Sequence, residues 1–155
     1  MKRFPLFGVL LFAGCTDAFA FHAAPRIVGE WVVVDFHSPG AVEDRSQLRK
    51  RASISEETWS EQFQGDQFED FEYTIDATRT PKQLDLIYTG PDGKRLTVRA
   101  IYEQTEDDRL RVCLGSPPLV RRNGKVESVE SVESVRPVAF EAKDGPLITY
   151  QRKTK

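Results

Sequence analysis

His22 and His37 are the two imidazoles of this 155-residue chain, so a Ser-His relay or a histidine zinc site would have to run through one of them. Neither stands in an H-x-H or H-E-x-x-H spacing, the patterns that bring two ring nitrogens to one metal. His22 falls in a short linker and His37 at the end of an apolar run, and both read as surface residues. Carboxylates are plentiful, as in Glu69-Asp70, Glu72, Asp107 and Asp108. Paired acids for glycoside hydrolysis need a cleft and a set separation, whereas these acids fall at turns or on polar strand faces. There is no G-x-S-x-G, P-loop, dinucleotide fingerprint or EF-hand loop. No enzyme, no metal and no cofactor is expected.

The remaining chemistry is that of two thiols, Cys15 and Cys113. Lys2 and Arg3 followed by the uncharged, mostly apolar Phe4–Gly14 read as an export signal over residues 1–20. The apolar run is about half the 20 residues that a membrane-spanning helix needs. Ala18-Phe19-Ala20 is an A-x-A cleavage site. Phe12-Ala13-Gly14-Cys15 competes with it: this run resembles the bacterial lipobox, apart from Phe12 in place of an aliphatic residue, and would leave a lipidated Cys15 anchored to a membrane surface. Either cut leaves Cys113 without an intramolecular partner. A structural Cys on a half-buried strand is expected there, since Leu110, Val112 and Leu114 take one strand face and Cys113 the other. The expected setting is extracytoplasmic, periplasmic or cell-envelope.

Apolar residues make up 39% and charged residues 30% of the chain, a balance that fits one globular domain with its own core. The formal net charge is −2, with Lys and Arg interspersed among acids, so a phosphate-binding face and a nucleic-acid partner are not expected. After a linker at 21–26, residues 27–153 read as one domain of short β-rich runs with turn residues between them. The run 27–36 is the first strand, and residues 41–51 fit a loop or a single helical turn. Ala52–Ile54 and Thr58–Phe63 form a strand pair anchored by Trp59. Gln67–Asp76 turns Phe71, Tyr73 and Ile75 to the core, with a break in parity after Phe68 that suggests a bulge or a loop position. Lys82–Thr89, Arg95–Gln104 and Arg109–Leu114 make a meander. Residues 127–135 spell Glu-Ser-Val three times, and a period of three fits neither strand nor helix; an exposed loop is expected. Pro137–Ala142 and Leu147–Arg152 are read as the last hairpin. About eight strands with short connections predict an all-β, single up-and-down antiparallel barrel.

The segments Gly29-Glu30-Trp31, Asp76-Ala77-Thr78-Arg79-Thr80-Pro81-Lys82-Gln83-Leu84-Asp85-Leu86, Ile101-Tyr102-Glu103, Leu110–Leu114 and Arg136-Pro137-Val138-Ala139-Phe140 together resemble an uncharacterised lipocalin-like domain family abundant in planctomycete bacteria. Its pattern runs G-T-W, D-x-T-x-x-P-K-x-I-D-L, I-Y-E, L-x-x-C-L and R-P-x-x-F; Glu30 departs from it, and the Glu-Ser-Val insert lengthens one loop. The resemblance implies a lipocalin-like barrel and a bacterial extracytoplasmic setting, and no activity. In lipocalins the Trp of Gly-x-Trp closes one barrel end and an Arg near the last strand packs on it. Trp31 and Arg152 would take those parts here, with a cation–π contact worth up to about 2 kcal/mol.

An inward row of Trp31, Leu86, Tyr88, Val98, Tyr102 and Val112 then either fills the interior or lines a cavity for one small apolar ligand. The first function expected is a monomeric, exported small-molecule binder. The alternative is a structural or protein-interaction module of the cell envelope with a filled core.

Overall fold

The computed structural model describes residues 27–39, 45–90, 93–115, 119–122, 125–128, 134–143 and 145–154. The export segment with Cys15, the linker at 21–26 and residues 129–133 of the Glu-Ser-Val run lie outside the described residues.

Eight strands close into a barrel: β1 (Gly29–His37), β2 (Arg51–Ile54), β3 (Thr58–Gln64), β4 (Gln67–Asp76), β5 (Lys82–Thr89), β6 (Arg95–Gln104), β7 (Arg109–Leu114) and β10 (Leu147–Arg152). Each pairs antiparallel with its chain neighbour, and β10 joins β7 to β1 to complete the ring. This is the expected lipocalin-like up-and-down architecture, and closure removes every edge on which another strand could add. A separate hairpin, β8 (Leu119–Arg122) with β9 (Lys125–Ser128), stands apart from the barrel sheet. It takes the first two residues of the expected loop at 127–135 into β9. A single 3₁₀ turn at Arg45–Gln47 fills part of the segment between β1 and β2.

Period-two patterning sets the register. Leu84 and Leu86 on β5 meet Ala100 and Val98 on β6, and Tyr102 meets Val112 on β7. Two bulges correct the parity. In β1 the register slips between Val33 and Asp35, so Trp31 and Val33 point inward, Val34 is thrown to solvent and Phe36 returns to the core side. In the β3–β4 pair it slips between Gln62 and Gln64. The bulge expected after Phe68 therefore belongs to β3. Phe68 lies within β4 on the outer face, with the Arg51 guanidinium 5.4 Å above its ring.

The strand expected over Pro137–Ala142 is absent; that segment is irregular. Its would-be neighbours β7 and β10 already pair with each other, so the closed ring offers it no partner. Residues 134–143 and 145–146 instead strap the outer wall. Arg136 Nη1 donates to the carbonyls of Leu84 and Ala100 at 3.1 and 2.6 Å, its Nη2 pairs with Asp85, and the Arg99 amide donates to Ser134 Oγ at 2.6 Å. The two outward residues Ile101 and Cys113, register partners on β6 and β7, are thereby fully buried. Gly115 permits the approach: a Cβ there would collide with the carbonyl oxygen of Val135 and lie 2.7 Å from that of Arg99.

Candidate functional site

The two ends of the barrel differ. At the end where β1 begins and β10 finishes, the indole of Trp31 is fully buried and its Nε1 donates to the Ile27 carbonyl at 2.8 Å. Arg152 spreads over it with Cζ 4.3 Å from the ring centroid, while its Nη1 donates to the Val28 carbonyl at 2.9 Å. The backbone at Gly29 must pass beneath this guanidinium, and it does so at φ +144°, where a side chain would be strained and a Cβ would strike Arg152 Nη1.

Next to this closed end the interior is filled by Trp59 and Tyr150, both fully buried. Trp59 meets Tyr73 and Tyr150 edge-to-face, at centroid distances of 6.4 and 5.9 Å, geometry that suits the ring quadrupoles. Its Nε1 is buried without a hydrogen-bond acceptor among the described residues.

Toward the opposite end the interior opens into a cup of about 280 Å³, close to the lower end of small-ligand sites. Phe36, Phe71, Leu114 and Ile148 supply apolar wall, and Glu61, Glu69 and Lys50 supply charge. Strand parity places the acids there. Glu61 follows Trp59 by two residues on β3, and Glu69 precedes Phe71 by two on β4; Glu61 and Glu69 are direct cross-strand partners, where like charges repel. Glu61 is half-buried and opens onto the cup. Tyr150 Oη donates to its Oε1 at 2.8 Å. Burial raises the Glu61 carboxyl above its ordinary value of 4.5, against the lowering influence of the Tyr150 bond and of Lys50, with Glu69 adding a smaller upward push. Burial, and then the neighbouring carboxylate, hold the Tyr150 phenol well above 10. The Tyr150 phenol therefore keeps its proton and donates a hydrogen bond to the Glu61 carboxyl.

Of the residues expected to face the interior, Trp31, Leu86, Tyr102 and Val112 are buried in the core and Val98 packs against it half-buried. Tyr88 is half-buried with its ring 6.0 Å from that of Phe71. None of the six lines the cup. The residues that do were missed, although an acid at inward parity two positions from Trp59 was a readable signal. A second hollow, of about 380 Å³, lies outside this interior where β4 turns into β5, and Arg79, Pro81, Lys82, Tyr102 and Phe140 border it. No group of three or more His, Cys, Asp or Glu side chains among the described residues is placed to hold a metal.

Family models, curated proteins and solved structures were each compared with this chain, and none matches.

Proposed function

We propose that this is an exported binding protein whose barrel takes one small amphiphilic molecule at its open end. The apolar body would lie against Phe36, Phe71 and Ile148, and a polar group would reach the Glu61–Tyr150 pair. One observation carries the reading: an ionisable carboxyl stands at inward parity in the barrel interior, with Trp59 beside it on the same strand. Burying a carboxylate costs several kcal/mol unless it is compensated, and an apolar side chain at position 61 would pack the same space without that cost. Charge kept in such a place fits a site better than a scaffold. The leader sequence, with its alternative cuts after Ala20 and before Cys15, supports the extracytoplasmic setting.

The filled interior next to the closed end favours a second reading, a packed envelope module with no ligand. Solvent extraction of the natively purified protein followed by mass spectrometry, with titration of an uncharged apolar fluorophore, separates the two. One equivalent of a small molecule, or saturable 1:1 uptake of the fluorophore, is expected. A clean extract together with no uptake would leave the packed module.

A further inference from the structure

We propose that the molecule held in the cup is a small organic cation, a protonated amine on an aromatic or short alkyl body; this rests on the cup being a binding site. Three independent features of the site point the same way.

The first is hydrogen-bond bookkeeping at Glu61. Its Oε1 takes the Tyr150 hydroxyl, while among the described residues nothing donates to Oε2 and no ion pair reaches Glu61. Half-buried Glu61 therefore lines the cup with one carboxylate oxygen unpartnered, and a carboxylate accepts but does not donate. Its natural complement is a donor, best a charged one.

The second is the local charge. Glu61 and Glu69 stand directly opposite on neighbouring strands, and Lys50 is the one cation among the described residues bordering the cup. Lys50 acts on Glu61 only through space, so the cup carries a net negative charge that an anion would worsen and a neutral molecule would leave as it is. An ammonium between the two acids would relieve their repulsion.

The third is the wall. Phe36 and Phe71 flank the acids, and aromatic faces attract a desolvated cation. Three further polar groups stand here: the Tyr150 phenol, which stays neutral; Gln62, whose Oε1 accepts from the Arg51 amide at 3.1 Å and whose Nε2 donates to the Gly65 carbonyl; and Gln47, whose Nε2 donates to Ser46 Oγ at 3.3 Å. None of the three donates to Oε2.

Calorimetric titration of the full folded chain with three isosteres, 2-phenylethylamine, 2-phenylethanol and 3-phenylpropanoate, tests the assignment at pH 7. The amine is expected to bind 1:1, at least about tenfold more tightly than the alcohol, and the carboxylate not at all. Glu61→Gln keeps an acceptor for Tyr150 and should fold. It is expected to remove the amine's advantage while leaving alcohol binding in place, and Glu69→Gln should weaken the amine less. Equal affinity for amine and alcohol, or an amine advantage that survives Glu61→Gln, overturns the cation and leaves the cup as a neutral-ligand site. Failure of all three isosteres together with the uncharged fluorophore overturns the binding site itself.

Discussion

The guanidinium of Arg152, on the last barrel strand, lies over the indole of Trp31 on the first, with Cζ 4.3 Å from the ring centroid, and Gly29 passes beneath it. Register explains the meeting: Trp31 and Arg152 are direct partners in the β1–β10 ladder that closes the ring. Cation–π attraction, the bond to the Val28 carbonyl and the absence of a Cβ at position 29 thus act on one spot. Arg152→Ala should destabilise the barrel by about 2 kcal/mol. Arg152→Lys should not restore it, because an ammonium cannot stack and donate sideways as a planar fork does. Gly29→Ala should cost about 1–3 kcal/mol for its positive φ, and less in the Arg152→Ala background. Denaturant midpoints of the four-member cycle measure the coupling; strictly additive costs would mean that the two residues act separately.

The two tryptophans offer a controlled contrast. Both are fully buried, but Trp31 Nε1 has an acceptor and Trp59 Nε1 has none among the described residues. Trp→Phe at 31 leaves the Ile27 carbonyl without its donor and thins the surface under Arg152, so a loss of about 2–3 kcal/mol is expected. The same change at 59 removes an unpaired donor, which offsets the lost volume, and should cost about 1 kcal/mol or less. Urea unfolding of both variants decides; a costlier change at 59 would show that its indole N–H has a partner in solution.

Glu61 makes a pH prediction with a definite sign. Its carboxyl is raised in the folded state above the 4.5 of the free group, so the folded protein holds this proton more tightly than the unfolded chain. The group's contribution is fully favourable below pH 4.5 and is lost as pH rises through the raised folded value. Glu61→Gln should therefore raise the melting temperature at pH 7, with the gain shrinking to nothing near pH 4. A gain that stayed constant with pH, or grew in acid, would contradict the raised value.

The sequence disclosed the ring and not the cup, and the reason is physical. Alternation in Leu84-Asp85-Leu86 and Val98-Arg99-Ala100 reports which face is buried, and the hairpin between them follows from the Gly90–Lys94 turn, where the Gly90 amide donates to the Lys94 carbonyl at 2.8 Å. Glu61 breaks that alternation, and a pattern rule that counts only apolar positions passes over it. One expected strand does not form. Pro137–Ala142 read as one arm of the last hairpin, yet a strand needs a free edge and the closed barrel has none; Val138 is left 78% exposed. The partners of Arg136 are 36 to 52 residues away in the chain, beyond any local pattern.

That strap yields the last prediction. Cys113 is wholly buried on the outer face of β7, with Sγ 3.6 Å from the Glu141 carbonyl, so a thiol reagent reaches it only when the 134–146 segment lifts. In a Cys15→Ser background, labelling of the native protein should be slow, with a rate set by the opening equilibrium. Arg136→Met removes two donations to backbone carbonyls and a half-buried ion pair with Asp85. If the strap opens as a unit, this change should speed labelling by about 10- to 100-fold, since each 1.4 kcal/mol taken from the closed state is a factor of ten. The barrel's melting temperature, governed by the eight-stranded ring, should fall much less than in Arg152→Ala. Equal changes in labelling and melting would mean instead that strap and barrel open together, and that Cys113 is exposed only by global unfolding.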